Sequence, residues 1–449
     1  MPTAAPSDRP PEDAPRPRGV ALFGLGTVGG GVAGSLLTDR ERFAGLELRH
    51  AVVRDSARPR DVTVPAGLLH ADRRRAVEDP EVSVGVELIG GVPDAFDLCR
   101  DLLLAGKDVV TANKALICER GPELLALAAD RGRTVCYEAA VAGGVPVVAG
   151  VTESLAANRI TGLRAILNGT SNFLLSRMTA TGAAYADVLA EAQDRGYAEA
   201  DPAMDVDGTD AAQKLVILAR LAFGADVRFG DFPVEGVDGL TAEDLRFAGE
   251  LGYVVKLLAV ADLRDGGGLE LSVRPTLVPR ADAVASVGGA MNVIAVRGDL
   301  VGEAWFAGPG AGRAPTASAV LADLLGLASG RAQRSFADAA AAARRPPPRL
   351  VPADGLAGRY YLRFRVTDRP HVFADLADIL GSSGISLASI IQHADGPAET
   401  GPVDGDEDRV VPVVVMTHRT TAGRLRAAAD RWRALDTLAG EPVVMPVAD

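Results

Sequence analysis

Five carboxylates, Glu199, Asp201, Asp205, Asp207 and Asp210, fall within twelve residues, and a lysine, Lys214, follows them. The run from Gly196 to Asp210 leads into a helical pattern, so Asp210 and Lys214, four apart, share one face. A calcium loop is the first rival. Aligning Gly208 with the glycine such a loop requires puts Ala203 at the first ligand and Lys214 at the bidentate one, and neither can serve. A solvated surface ion pair is the plainer rival, and composition speaks against it. Of 47 basic residues only four are lysines, Lys107, Lys114, Lys214 and Lys256. A chain so biased to arginine keeps lysine where a compact, titratable ammonium is needed, because a guanidinium hardly deprotonates. Histidine is absent from Ala71 to Pro370; His50, His70, His371, His393 and His418 all lie outside that span. Proton transfer in the middle of the chain therefore falls to lysine and carboxylates.

A second constellation lies near the start. Gly24-Leu25-Gly26-Thr27-Val28-Gly29 follows a strand pattern and opens a helix, the setting in which glycines let the backbone approach a pyrophosphate at a helix N-terminus. After the next strand, Arg54 and Asp55 stand side by side. The arginine suits a 2′-phosphate, which leans the reading to NADP over NAD, though two solvated loop charges would look the same. Lys114 follows the strand Asp108 to Ala112, at the carboxyl edge where such sheets bind ligands. Lys256 is expected to pack its stem in a helix over 252–260, and Lys107 to be a solvated turn residue.

The elements that must position these groups alternate from Gly19 onward. Val20–Phe23, Leu46–Val53, Val82–Ile89, Asp108–Ala112 and Thr134–Glu138 read as strands separated by helical stretches, which implies a doubly wound α/β parallel sheet over 19–138. A Gly-rich turn at Gly308–Gly312 and the helix Thr316–Leu327 are expected to return to this Rossmann-type domain and complete it over about 308–335. Residues 139–307 read as an α+β substrate-binding and dimerisation domain, so a homodimer or homotetramer is expected. Ala and Pro runs mark 338–357 as a stiff linker. The rest, 358–449, reads βαββαβ, a ferredoxin-like plan interrupted by an acidic loop at 397–408.

A formal net charge of -12 disfavours nucleic acid and anionic lipid as partners, since both attract Lys and Arg clusters. Residues 1–18 are charged and Pro-rich, a disordered tail without the apolar core of a signal peptide. The longest uncharged stretch, Ala139–Val151, is too short for a bilayer, so no membrane span is expected. Cys99, Cys118 and Cys136 are too scattered for a disulfide framework or a zinc site and fit a reducing cytoplasm.

Thr111-Ala112-Asn113-Lys114-Ala115-Leu116, Tyr137-Glu138-Ala139 with Val141-Ala142-Gly143-Gly144-Val145-Pro146, Leu167-Asn168-Gly169-Thr170-Ser171-Asn172 and the 196–214 cluster together resemble homoserine dehydrogenases. The resemblance covers about 19–449. It implies reversible NAD(P)H-dependent reduction of L-aspartate 4-semialdehyde to L-homoserine, a small-molecule reaction of threonine and methionine synthesis. It further implies Lys214 as proton donor to the aldehyde oxygen, with Lys114 beside the reacting carbon and the cofactor. Glu199, Asp210, Asp205, Thr170 and Tyr197 would hold the substrate, Glu199 its ammonium. Gly24, Gly26, Thr27, Val28, Gly29, Arg54, Lys114 and Gly310 would contact the coenzyme. A monovalent cation such as sodium would sit on backbone carbonyls near Glu138, Val141, Gly143 and Val145. The tail resembles an ACT domain, which implies an amino-acid effector, threonine by the same resemblance. A dehydrogenase taking the semialdehyde as acyl donor would instead need a cysteine nucleophile with a base, and Cys118 and Cys136 have no histidine near them in sequence. A non-catalytic sensor would keep the tail and have no need of the lysines and the carboxylate cluster.

Overall fold

The computed structural model describes residues 17–342, 346–392 and 409–448. They fall into two compact units, 17–144 with 312–342, and 145–311 with 346–392 and 409–448. Among them no helix is long and apolar enough to cross a membrane.

The first unit carries a six-stranded parallel sheet ordered Leu69–His70, Leu46–Val52, Arg18–Phe23, Val82–Glu87, Asp108–Thr111, Val135–Cys136. In chain order this is 3-2-1-4-5-6, whose strand order reverses at the first strand and opens a crevice at the carboxyl ends. The strands are continuous apolar runs because both faces are covered: Val20, Leu22, Val84, Val86 and Val110 are fully buried. The helix Arg313–Ala328 does return to this sheet. It packs on Thr27–Thr38, where a Cβ at Gly31 would lie 3.0 Å from that of Ala317, so the Gly29-Gly30-Gly31 run permits close approach.

Two expectations change here. The sheet begins at Arg18, which was assigned to the tail: its guanidinium donates to Asp108 Oδ2 at 2.5 Å and to the Leu327 carbonyl at 2.8 Å. Residues 1–16 lie outside the described residues. Lys107 is buried rather than solvated, its Nζ donating to the carbonyls of Asp79 and Val82 at 2.7 Å each. Burial lowers its pKa, against the pull of Asp79.

In the second unit one sheet runs Gly302–Pro309, Met291–Gly298, Ile160–Ile166, Tyr253–Leu263, Gly268–Pro279, Val443–Val447, Ala357–Thr367, Val410–Thr417, Leu387–Gln392. The last four strands are the βαββαβ tail in spatial order 4-1-3-2, with the helices Val372–Ser382 and Ala422–Trp432 over one face. The tail is not a tethered module. Val447 pairs with Leu277, and Arg363 meets Asp244 in a buried ion pair, Nε to Oδ1 at 2.5 Å and Nη2 to Oδ2 at 3.1 Å. The stretch 338–357 is likewise not a free linker. The helix Arg331–Ala342 covers its start, Arg349–Leu350 pairs with Gly268–Leu269, and Ala353–Gly355 is a 3₁₀ turn. Residues 343–345, the acidic loop 397–408 and His393 lie outside the described residues.

Lys256 sits in the strand Tyr253–Leu263, not in a helix. The periodicity around it, Val254-Val255-Lys256-Leu257-Leu258, is apolar on both sides and fits either element. Its Nζ donates to Asn172 Oδ1 at 3.0 Å and to the Val287 carbonyl at 2.6 Å, and burial brings its pKa down to about 8. The unfolded chain, with a lysine pKa near 10.4, binds this proton more tightly, so folding gains stability as pH rises through that window, by at most about 1.4 kcal/mol per pH unit. We predict that the denaturation midpoint of the native protein rises relative to that of Lys256→Met between pH 8 and pH 10. A difference constant with pH would show that the ammonium is not strained by burial.

Candidate active site

The sheet of the first unit delivers three groups to its carboxyl edge. After Phe23 the chain turns at Gly24, whose φ of +100° suits glycine and where a Cβ would press on the Leu88 carbonyl. Gly29 packs against the Gly24 carbonyl too closely for any side chain. At Gly26 nothing lies within 4 Å of where a Cβ would stand, and Gly26 and Thr27 are exposed at the start of a 12-residue helix, with Val28 half-buried behind them. Open space at a helix N-terminus between two tightly packed glycines fits a pyrophosphate. Arg54 is exposed just past the second strand and forms no ion pair among the described residues.

Lys114 is the first residue of the helix Lys114–Asp130, capped by Asn113 through its bond from Leu116 N at 3.1 Å. What fixes this turn is a residue that sequence reasoning missed. Glu87, fully buried at the end of its strand, accepts from Ile89 N at 2.9 Å, from Gly90 N at 3.2 Å and from Thr111 Oγ1 at 2.5 Å. Thr111 Oγ1 in turn accepts from Asn113 N at 3.0 Å, so one carboxylate ties the 88–91 loop to the Asn113-Lys114 turn. A charged residue ending an apolar strand was its only sequence signal.

The second unit gathers Asp205, Asp210 and Lys214. The helix Thr209–Phe223 starts at Gly208, with φ +87°, and presents Asp210 and Lys214 inward one turn apart. Lys214 Nζ donates to Asp210 Oδ2 and to the Leu167 carbonyl, both at 2.7 Å, and the residue is only 9% exposed. Asn168, quoted in its motif but given no role there, bridges the two carboxylates, its Nδ2 donating to Asp205 Oδ1 at 2.8 Å and to Asp210 Oδ2 at 2.9 Å. Its Oδ1 meanwhile caps the helix Gly169–Thr181 by accepting from Ser171 N at 2.7 Å. Thr170 Oγ1 donates to the Tyr197 carbonyl at 2.7 Å, which holds the front of the carboxylate loop, with the Tyr197 ring half in solvent. Among the described residues Glu199 is not part of this network: its carboxylate is exposed, and its backbone carbonyl accepts from Gln193 Nε2 at 3.1 Å.

Gly310 has a packing reason of its own, since a Cβ there would collide with the buried side chain of Asn292. Asn292, also missed from sequence, donates to the same Leu167 carbonyl that holds Lys214, at 3.0 Å.

The loop 138–145 is irregular. Glu138 is buried, and its N–H donates to Asp323 Oδ2 at 3.0 Å; Ala142 and Gly143 are consecutive left-handed residues, φ +54° and +49°. The Glu138 carbonyl accepts from Val141 N at 3.3 Å, and the Val145 carbonyl from Val147 N at 2.8 Å. Among the described residues no cluster of His, Cys, Asp or Glu could hold a metal. All three cysteines are buried, and burial raises the thiols of Cys99 and Cys136 well above their ordinary value, which removes a thiolate nucleophile from the rival acyl-transfer reading at those two positions.

The chain is similar to known proteins over most of its length. The homoserine dehydrogenase family model matches residues 146–325, the homoserine dehydrogenase NAD-binding domain 24–138, and the ACT domain 360–436. A homoserine dehydrogenase of Pseudomonas aeruginosa is 42% identical, covering 96% of this chain and 98% of its own. The structure of a homoserine dehydrogenase from Thiobacillus denitrificans superimposes with a TM-score of 0.82 at 40% identity, covering 97% of this chain and 99% of that one. A hyperthermophilic archaeal homoserine dehydrogenase solved in complex with NADPH matches with a TM-score of 0.57 at 25% identity, over 69% of this chain and 97% of its own.

Asn168 offers a direct test of the network. Asn168→Ala removes two amide bonds to carboxylates together with the helix cap. Loss of bonds to charged groups predicts a fall in turnover of roughly 10 to 100-fold, with coenzyme affinity unchanged. Asn168→Ser restores the cap but not the bridge, so it should recover thermal stability and leave turnover low. Equal recovery of both would reduce Asn168 to a cap.

Proposed function

The chain belongs to the homoserine dehydrogenase family of NAD(P)-dependent oxidoreductases, and on that premise we propose that it interconverts L-aspartate 4-semialdehyde and L-homoserine for threonine and methionine synthesis, with NADPH preferred over NADH and threonine acting through the ACT domain. The observation that carries the chemistry is the doubly held ammonium of Lys214.

The bound coenzyme supplies a hydride to the aldehyde carbon and accepts one in reverse. Negative charge then grows on the substrate oxygen and calls for a positioned donor. An ammonium has three N–H donors; Asp210 and the Leu167 carbonyl hold two of those on Lys214, which leaves the third for the substrate oxygen. Two carboxylates, Asp205 and Asp210, against one ammonium leave a negative cluster, favourable for the ammonium of an amino-acid substrate. Glu199, exposed and beside the carboxylate loop, is assigned to the same ammonium, with Thr170 and Tyr197 completing the pocket. Lys114 is assigned to the coenzyme side of the reaction, and Gly310 to a second coenzyme-contacting loop. The left-handed pair Ala142 and Gly143 supports a monovalent cation on the 138–145 loop, because such backbone persists where its surroundings require it.

Lys214→Arg keeps the charge but presents a planar donor that hardly deprotonates, so it should still bind substrate and lose kcat by roughly 10²-fold or more; Lys214→Ala should lose kcat to a matching degree with little change in coenzyme affinity. Near-normal kcat in Lys214→Arg would mean that charge alone suffices and would move the proton-donor role to Lys114.

For the coenzyme, the exposed and unpaired guanidinium of Arg54 supports NADPH, in keeping with the archaeal relative's ligand. Arg54→Ala should raise KM for NADPH far more than KM for NADH. Equal effects on both would leave Arg54 a solvated loop charge.

A further inference from the structure

The third N–H of Lys214 points where its first two are held. An ammonium is tetrahedral, so acceptors that fix two of its donors also fix the third, and a shift of either acceptor turns it. The two acceptors are Asp210 Oδ2 and the Leu167 carbonyl, both at 2.7 Å, and each is gripped from a second side by an asparagine. Asn168 Nδ2 donates to the first at 2.9 Å, and Asn292 Nδ2 to the second at 3.0 Å. Asn168 also caps a helix. Asn292 has no second hydrogen-bonding duty among the described residues: it is fully buried, its Oδ1 has no partner there, and its side chain's one bond is to Leu167. A buried amide with its acceptor unmet carries a cost that an apolar residue of similar shape does not. What the asparagine adds at this position is the bond to Leu167.

We propose that Asn292 is a positioning residue for the proton transfer: by taking the second lone pair of the Leu167 carbonyl, it fixes the direction in which Lys214 presents its third N–H to the substrate oxygen. The carbonyl can only accept, so the amide must turn Nδ2 toward it.

The amide is itself held on more than one side. A Cβ at Gly310 would collide with its Cγ, so only glycine there leaves the Asn292 side chain its place. The segment that leads into Asn292 is pinned as well: Asn172 Nδ2 donates to the Met291 carbonyl at 3.1 Å and to the Val287 carbonyl at 3.2 Å, and Lys256 Nζ to the latter at 2.6 Å. Gly169 packs against the Ala290 carbonyl with no room for a side chain. Gly169 and Asn172 belong to the helix Gly169–Thr181, the one that Asn168 caps. Both asparagines therefore work from one frame, which keeps the two acceptors of the ammonium at a set spacing.

This assignment rests on the reading of Lys214 as proton donor, and a double-mutant cycle on the full chain tests the two apart. Asn292→Leu and Asn292→Ala both remove the donor, but one fills its space and the other leaves it partly empty. An effect common to both belongs to the hydrogen bond rather than to packing. Each should lower kcat roughly tenfold, with KM for substrate and for coenzyme within about twofold of native. In a Lys214→Ala background, with no ammonium left to orient, Asn292→Leu should change kcat by less than about twofold. Should one variant fold poorly, the other carries the cycle. Variants that lose thermal stability and keep kcat would make Asn292 a packing residue and overturn the proposal, with Lys214 still the donor. A tenfold loss of kcat in the native and the Lys214→Ala backgrounds alike would show Asn292 acting without Lys214 and overturn it too. Near-native kcat in Lys214→Ala by itself would remove the donor reading, and the role of Asn292 with it.

Discussion

The ammonium of Lys214 is withdrawn from water on a helix whose neighbouring positions, Leu215, Val216 and Leu218, are buried and apolar, so protein groups must replace its hydration. Asp210 and the Leu167 carbonyl do so, and each brings further obligations. Asp210 shares its Oδ2 with Asn168, and the Leu167 carbonyl also receives Asn292. Asn168 in turn fixes where the helix Gly169–Thr181 begins, and Ser171 from that helix donates to the Asp205 carbonyl at 2.5 Å. One buried charge thereby sets the relative places of two helices and a loop, and removal of a single partner would leave its fellows unpaired in a medium that penalises them.

The first unit meets the same requirement with a carboxylate. Among the described residues Glu87 has neither lysine nor arginine in hydrogen-bond contact and is held by two backbone N–H groups and a threonine hydroxyl. The result is mechanical. The loop after the fourth strand and the turn into the Lys114 helix cannot move apart without exposing or orphaning that carboxylate, so the carboxyl edge of the sheet keeps its shape.

What could be read from the sequence and what could not divides along the range of the interaction. The glycine turn, the alternation of strand and helix and the i, i+4 pair Asp210 and Lys214 are local, and the structure has them where local rules put them. Lys107 reads as a solvated turn residue because its partner Val82 lies 25 residues away, and no local pattern distinguishes a lysine with distant carbonyl partners from one in water; Lys256 reads as helical because an unbroken apolar run fits either element, and its partners Asn172 and Val287, up to 84 residues away, leave no local sign of the strand. Asn168 and Asn292 carry no such signal for a related reason: asparagine at the start of a helix, as Asn168, or of a strand after a Gly-Gly turn, as Asn292, reads as a cap or a turn, and its second use, on a carboxylate or a carbonyl from another segment, has no sequence signature. The Pro-rich stretch before the tail was read as a linker because composition reports stiffness but not what a segment lies against.

That last point changes what the tail is. Asp244 serves twice: with Thr241 it closes the capping box of the helix Ala242–Glu250, and it receives the guanidinium of Arg363 from the tail's first strand. With both side chains almost wholly buried, neither charge can be left without the other; stripping one from a buried pair costs about 3 to 5 kcal/mol. Val447 meanwhile pairs with Leu277 on the edge of the strand Gly268–Pro279, so a strand edge exposed there would be a second consequence of losing the tail. A displacement of the tail sheet must therefore either carry the Ala242–Glu250 helix with it or break an ion pair that the interior cannot tolerate broken, and this makes the helix, rather than a flexible tether, the element through which the tail and the catalytic portion of this unit constrain each other.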